Sequence, residues 1–196
     1  MTTNIIIGIT GGIGSGKTTV AELLRAKNFA VYNSDLEAKK LQSDDAELRR
    51  KIKELFGNDA YTENGLNRSL IAKTVFGNRD KLLKLNEIVH PAVKNDFRQW
   101  AQQHSEEKIL FLESAILFES GFNTLVDKVL LITASKEIRI ERVMQRDNIS
   151  HEKVLQRIEH QTNAEELIGK SDFVISTDDA IPLNEKIEKF LSDINF

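Results

Sequence analysis

Cysteine is absent from this 196-residue chain, and proline occurs only at Pro91 and Pro182. The first absence excludes disulfides, thiolate metal sites and cysteine nucleophiles, while leaving the redox compartment open. There is no repeat, no low-complexity tract and no Pro/Gly/Ser-rich linker, so a string of tethered modules is not expected. No apolar run approaches the roughly 20 residues of a bilayer-spanning helix. Met1-Thr-Thr-Asn4, ahead of Ile5-Ile6-Ile7, lacks a basic n-region, and Gly8, Gly11 and Gly12 cut the apolar stretch short, so no secretory signal is expected. Positive charge is not in excess: 27 Lys and Arg against 30 Asp and Glu leave a net −3, with no general footprint for nucleic acid. What is present, 40% hydrophobic and 29% charged residues, gives one domain with a real core rather than a disordered chain. These features set the expectation of a cytoplasmic globular protein engaging neither membrane nor nucleic acid, as a monomer or weak homo-oligomer.

Asn4 to Thr10 (NIIIGIT) is a continuous β-branched run ending in glycines, the pattern of a strand buried on both faces of a parallel sheet. Lys108–Glu113 and Lys128–Thr133 share this character, and Ala30–Asn33 and Phe173–Ser176 are shorter versions. Five such runs alternating with helical stretches predict an α/β fold with a parallel sheet of about five strands flanked by helices. In Ile181–Ile194, Leu183, Ile187, Phe190, Leu191 and Ile194 fall on one helical stripe, with Pro182 in the first turn. Ser135 is the expected N-cap of a helix reaching Gln145. More than seventy residues of helical patterning separate the second and third strands, far more than one crossover helix needs. The expected division is a core of about 1–34 and 108–196, a helical insertion of about 35–107 that takes a second substrate, and a lid of about 142–170.

Gly11-Gly12-Ile13-Gly14-Ser15-Gly16-Lys17-Thr18 fits G-x-x-x-x-G-K-[ST], and Thr19 follows. It directly follows the best strand and precedes the helical run Thr18–Lys27. Glycines let the backbone turn its N–H groups inward around a phosphate. Lys17 supplies charge for the β- and γ-phosphates, the Thr18 hydroxyl can ligate Mg²⁺, and the helix start offers its positive end. The fold expected is therefore of the P-loop NTPase type, and the ligand a nucleoside triphosphate.

A guanine-reading N/T-K-x-D tetrapeptide is missing, which argues against a GTPase. A small P-loop chain with an inserted lobe and an arginine-rich segment suits a phosphotransferase acting on a small molecule. Such a reaction needs an acceptor-activating carboxylate and cations at the moving phosphoryl group. Asp35 lies just past the second strand, at the edge where a parallel sheet gathers its ligands. It is the candidate carboxylate, and equally the candidate N-cap of a helix beginning near Leu36. Arg139, Arg142 and Arg146 share one helical face. Arg142 and Arg146 near its end are candidate lid cations, or else a solvated face balanced by Glu137, Glu141 and Asp147. Arg49, Arg50, Lys51 and Lys53 read as solvated. Glu113 ends a strand where a carboxylate can act on Mg²⁺ through water, or can pair with a nearby base. His90-Pro91 offers either a cleft histidine or a capping or core histidine, with Pro91 able to open the helix containing Phe97 and Trp100. His104, His151 and His160 show no ligand spacing.

Taken together, these segments resemble the dephospho-CoA kinase family over nearly the whole chain. The resemblance rests on Ile9–Thr18 (ITGGIGSGKT), Asp35 with Ala38, Arg68–Phe76 (RSLIAKTVF), and His90-Pro91-x-Val93. It continues through Leu117-Phe118-Glu119-Ser120-Gly121 and Arg142–Asp147 (RVMQRD), with Arg157-Ile158 and Gln161 following. It implies Mg²⁺- and ATP-dependent phosphorylation of the ribose 3′-hydroxyl of dephospho-coenzyme A, the last step of coenzyme A synthesis. Another small-molecule P-loop kinase, for a nucleoside, nucleotide or shikimate-like acceptor, is the alternative. Carried onto this chain, the resemblance has Gly12, Ile13, Gly14, Ser15, Gly16, Lys17, Thr18 and Thr19 holding ATP. Thr18 holds Mg²⁺, with Glu113 the position-based candidate to act on it through water, and Asp35 orients or deprotonates the acceptor hydroxyl. Arg142 and Arg146 steady the phosphoryl group, while Arg68, His90 and Glu119 belong to the acceptor side. The chain departs from the family pattern in having Asn33 where a second acid often stands, Ala115-Ile116 where a proline is usual, and Ser176-Thr177-Asp178 in place of an Asn-rich turn.

Overall fold

The computed structural model describes residues 4–159, 161 and 164–194. It divides into two compact units, one running to Tyr32 and resuming at His104, the other spanning Asn33–Gln103.

The first unit is built on a five-stranded parallel sheet. Its strands are β1 (Ile5–Thr10), β2 (Ala30–Asn33, whose last residue opens the second unit), β5 (Ile109–Glu113), β6 (Lys128–Thr133) and β7 (Phe173–Ser176), in the order β2-β5-β1-β6-β7. Strand β1 is central, paired with β5 on one side and β6 on the other. Ile7 and Ile9 are fully buried with Ile109, Phe111, Leu130 and Ile132 against Val20 and Leu24 of α1 (Lys17–Ala26) and Ile187 and Phe190 of α9 (Leu183–Asp193). On the opposite face Gly8 makes room for Leu117, whose Cδ2 would stand 2.9 Å from a Cβ there. Phe111 adds edge-on contact with Phe29 at 5.6 Å between centroids. Pro182 immediately precedes α9 rather than sitting within it.

From β1 the chain crosses to β2 on one side of the sheet, and from β6 it crosses to β7 on the other. β1 and β6 are neighbours in register, Thr10 beside Leu131. Their carboxyl ends therefore bound a topological switch point, where open α/β sheets hold ligands. The loop Gly11–Gly16 leaves β1 there, and α6 (Lys136–Asp147) follows β6 after a short turn. Ser135 does occupy the N-cap position of α6, without a capping hydrogen bond from its side chain. Helices α7 (His151–Glu159) and α8 (Ala164–Gly169) come next; Val154 of α7 packs with Ile140 and Val143 of α6. His160 lies outside the described residues.

The second unit is mostly helical: α2 (Ser34–Asp44), α3 (Ala46–Phe56), a hairpin of β3 (Tyr61–Thr62) and β4 (Gly65–Leu66), α4 (Arg68–Val75) and α5 (Arg79–Gln103). Its helices begin where short polar side chains cap them: Asn33 Oδ1 accepts from Leu36 N–H at 2.8 Å, Asp45 Oδ1 from Leu48 N–H at 2.7 Å, and Asn67 Oδ1 from Leu70 N–H at 3.2 Å. The cap of α2 is thus Asn33, not Asp35. Helix α5 packs against α2, α3 and α4 and buries Val89, Val93 and Phe97. Pro91 does not open a helix; it lies inside α5, which runs 25 residues. Losing one helical hydrogen bond and straining a turn costs roughly 3 kcal/mol, an amount that packing on both sides of Pro91 outweighs. The basic side chains of α3 are not all simply solvated. Arg49 lies over the Tyr61 ring at 4.7 Å and Lys53 at 5.8 Å, while Arg50 pairs with Glu47 and Glu54, and Lys51 with Glu47.

No helix among the described residues is long and apolar enough to cross a membrane.

Candidate active site

The sheet unit gathers its polar residues at the switch point. The loop Gly11–Gly16 turns tightly, with Ser15 N–H bonded to Gly12 O at 3.1 Å. Two close approaches dictate glycine. A Cβ at Gly11 would overlap the Ile132 carbonyl oxygen, and one at Gly14, where φ is 77°, would lie 2.5 Å from the backbone oxygen of Arg139. Gly16 precedes α1, so the helix's first turn and its positive end point to the loop. Ser15 is 1% exposed and its Oγ has no hydrogen-bond partner among the described residues.

Lys17, the first residue of α1, folds its Nζ back onto Gly11 O at 2.6 Å and Gly12 O at 3.1 Å. Thr18 follows with its Oγ1 donating to Glu113 Oε1 at 3.3 Å. The sheet register explains that pair: Glu113 is the last residue of β5 and stands beside Ile9, one step before β1 enters the loop. Glu113 is almost fully buried, and Arg25 Nη2 lies 3.9 Å from its Oε2. A hydroxyl and one carboxylate converge here, and among the described residues no cluster of three or more acidic or histidine side chains could hold a metal. That donor set suits a hard cation that keeps its waters and borrows phosphate oxygens, as Mg²⁺ does. Thr19 is exposed on α1.

The arginines of α6 part company. Arg142 reaches Gly14 O at 3.3 Å and grips Thr177 through Oγ1 at 2.7 Å and O at 2.9 Å. Thr177 Oγ1 in turn donates to Ser15 O at 2.8 Å, tying the end of β7 to the loop. Arg146 is exposed and paired with Asp147, which also accepts from Arg157. This is the charge-balanced face that the sequence also allowed. Arg139 instead lies at the loop: its Nε donates to Ile13 O at 2.9 Å and its Nη2 to Gln161 Oε1 at 3.1 Å, and the same Gln161 oxygen accepts from Ile13 N–H at 2.8 Å. Burial pushes the Arg139 guanidinium below its ordinary pKa. In the turn after β7, Asp178 accepts from Ser176 Oγ and from Ser135 N–H at 2.5 Å, which hold its carboxyl well below the usual range.

Glu119 is exposed in the turns after β5. In the helical unit, Asp35 stands exposed in the first turn of α2, two residues past the end of β2, and Arg68 is exposed at the start of α4. His90 is half-buried in α5; burial, then Lys94 one turn on, pushes its imidazole below its ordinary value. Sequence reasoning grouped Arg139 with its helix face without singling it out, and gave Thr177 no role. The position of Thr177 just past β7 was the available signal. Gln161 figures in the family resemblance after Arg157-Ile158, but with no role assigned to it.

A family model described as dephospho-CoA kinase matches residues 5–182. A dephospho-CoA kinase of Bacteroides fragilis is 40% identical over 188 residues, 96% of this chain and 92% of that protein. Among solved structures, TT1252 from Thermus thermophilus is 33% identical with a TM-score of 0.84, covering 99% of this chain and 100% of that one. Dephospho-CoA kinase from Campylobacter jejuni is 28% identical with a TM-score of 0.71, covering 96% of each chain.

Proposed function

Because this chain belongs to the dephospho-CoA kinase family, we propose that it transfers the γ-phosphoryl group of ATP to the ribose 3′-hydroxyl of dephospho-coenzyme A, giving coenzyme A and ADP. The observation that supports this most directly is the loop geometry itself. A glycine turn, the Lys17 ammonium and the Thr18–Glu113 pair converge at one sheet edge, within residues that match the family throughout.

In this reading the segment Gly12 to Thr19 holds the triphosphate, the amides of Ile13 and Ser15 doing so only on leaving Gln161 and Gly12 O, and Lys17 neutralises its β- and γ-oxygens. Thr18, with Glu113 behind a water, would hold Mg²⁺; when bound, that ion neutralises charge shared between the β- and γ-phosphates. Asp35 accepts the proton of the 3′-hydroxyl as its oxygen forms a bond to the γ-phosphorus and the bond from that phosphorus to the ADP oxygen breaks. Arg142 fixes the loop from the β7 side, and Arg146, released from Asp147, meets the phosphoryl group during transfer. Arg68, His90 and Glu119 serve the acceptor. The substrates are small and soluble, so the proposed setting is the cytoplasm and the working form a monomer or weak homo-oligomer.

Incubation with Mg-ATP and dephospho-CoA should add the mass of one phosphate to the acceptor, with one ADP formed per product. Nucleoside monophosphates and shikimate should be left unchanged. Phosphorylation of one of those instead, with dephospho-CoA untouched, would assign the acceptor side to a different chemistry.

A further inference from the structure

Arg139 is a half-buried cation whose hydrogen-bond partners, Ile13 O and Gln161 Oε1, are both neutral. Among the described residues no carboxylate forms an ion pair with it, although Arg25, Arg50, Arg146 and Arg157 each have one. A partly desolvated guanidinium left without a counter-charge is unfavourable, which is why burial lowers its pKa. The arrangement is balanced only if an anion arrives.

Where that anion lies follows from the loop. Lys17 Nζ sits on the carbonyls of Gly11 and Gly12, and a lysine so placed reaches the β- and γ-phosphates. A Cβ built on Gly12 would overlap the Arg139 guanidinium, so this second cation is packed on the same peptide that carries the lysine. Both charges therefore belong to the terminal-phosphate end of the loop. Arg139 cannot easily leave: Nε is held by Ile13 O, Nη2 by Gln161, and Gln161 closes the bracket by taking the Ile13 N–H. A guanidinium fixed in one plane by two bonds loses little further freedom when it meets an anion.

We propose that Arg139 is a specificity-determining residue for nucleotide binding, its fixed charge favouring a triphosphate over a diphosphate, with Gln161 as the neutral bracket that orients it. This rests on the reading of the loop as an ATP site. It also assigns Gln161 a reason to be an amide: a carboxylate there would keep both acceptor bonds while cancelling the charge.

Calorimetric titration of ATP and ADP into the intact protein and into Arg139→Gln, Arg139→Lys and Gln161→Glu tests this. Losing a charge-assisted contact of about 1.5–3 kcal/mol corresponds to roughly 10–100-fold in affinity. Arg139→Gln should weaken ATP by about that factor and ADP by less than about threefold. Arg139→Lys should recover most of the difference. Gln161→Glu decides between charge and structure. If the bracket serves only to brace the loop, the stronger acceptor preserves or tightens binding of both nucleotides; if charge is what matters, the ATP preference collapses as in Arg139→Gln. Equal weakening of ATP and ADP, or none, in Arg139→Gln would overturn the proposal. Failure of the unmodified protein to bind ATP would overturn the underlying site reading instead. A thermal melt of each variant identifies any that does not fold, and should Arg139→Gln be one, the ATP/ADP ratio of Gln161→Glu carries the decision: a ratio near one supports a charge role, and an unchanged ratio refutes it.

Discussion

In the sheet unit, the groups that would meet a triphosphate are fixed by backbone. Strand register sets Glu113 beside the loop, carbonyls of Gly11 and Gly12 hold Lys17, and Arg139 and Gln161 bracket Ile13. In the helical unit, Asp35 and Arg68 stand exposed in the first turns of their helices, and only His90 is half-buried. One unit has its chemistry built in before any ligand arrives. The other offers side chains with rotamer freedom, and an acceptor bound there as proposed must order them, at a cost of up to about 1.5–2 kcal/mol for the longest of them. On the proposed function, preorganisation is thus spent on the phosphates, whose charge is the same in every turnover.

Two substitutions should separate the units most sharply. Asp35→Asn should lower turnover by about 10²–10⁴-fold, the range for a positioned general base, while the KM for ATP stays within about twofold. Lys17→Ala should lower kcat/KM for ATP by about 10²–10³-fold, as loss of a preorganised charge does. Steady-state kinetics with each substrate varied in turn checks both. Near-normal turnover of Asp35→Asn would remove that carboxylate from the chemistry and leave the helical unit a binding surface only.

A gentler contrast uses two glycines with nearly the same backbone. Gly14 in the loop has φ 77° and Gly77 between α4 and α5 has φ 74°, but a Cβ at Gly77 meets nothing within 4 Å, whereas one at Gly14 meets the Arg139 backbone. Gly77→Ala should cost the left-handed strain alone, about 1–2 kcal/mol. Gly14→Ala should add overpacking of roughly 1–3 kcal/mol and weaken ATP binding as well. Chemical denaturation of the two variants measures the difference. Equal destabilisation would mean that the loop yields as readily as a surface turn.

The same contrast explains what could be read in the residues. The runs Ile5–Thr10, Ile109–Glu113 and Lys128–Thr133 announce a sheet covered on both faces, because continuous apolar β-branched stretches have little other use. The loop was legible for a similar reason: its backbone admits few residues other than glycine. Pro91 misled, since a proline rule is local and α5 is held by packing along 25 residues. Asp35 was mistaken for a possible cap because either Asn33 or Asp35 suits that role, and only the helix start decides. Arg139 was passed over because i, i+3, i+7 spacing places three arginines on one face without saying which turns inward; the close approach of α6 to Gly14 makes that choice.

The smallest effect concerns His90, the one expected acceptor residue of the helical unit that is partly withdrawn from solvent. Burial holds its imidazole below the ordinary 6.5, with Lys94 adding to the effect. An unfolded chain would take up a proton near 6.5 that the folded protein still refuses, so the unfolded state binds more protons across that window. Stability associated with this site is therefore complete above about 6.5 and is lost as pH falls toward the depressed native value. The melting temperature of the unmodified protein should accordingly drop more between pH 7.5 and pH 5.5 than that of His90→Gln, which has nothing to protonate there. A parallel pair of curves would show that the imidazole is no more withdrawn from solvent than the exposed Asp35 and Arg68. A steeper curve for the unmodified protein makes His90 the one proposed acceptor residue of the helical unit that is withdrawn from solvent in advance, as Glu113 is in the sheet unit.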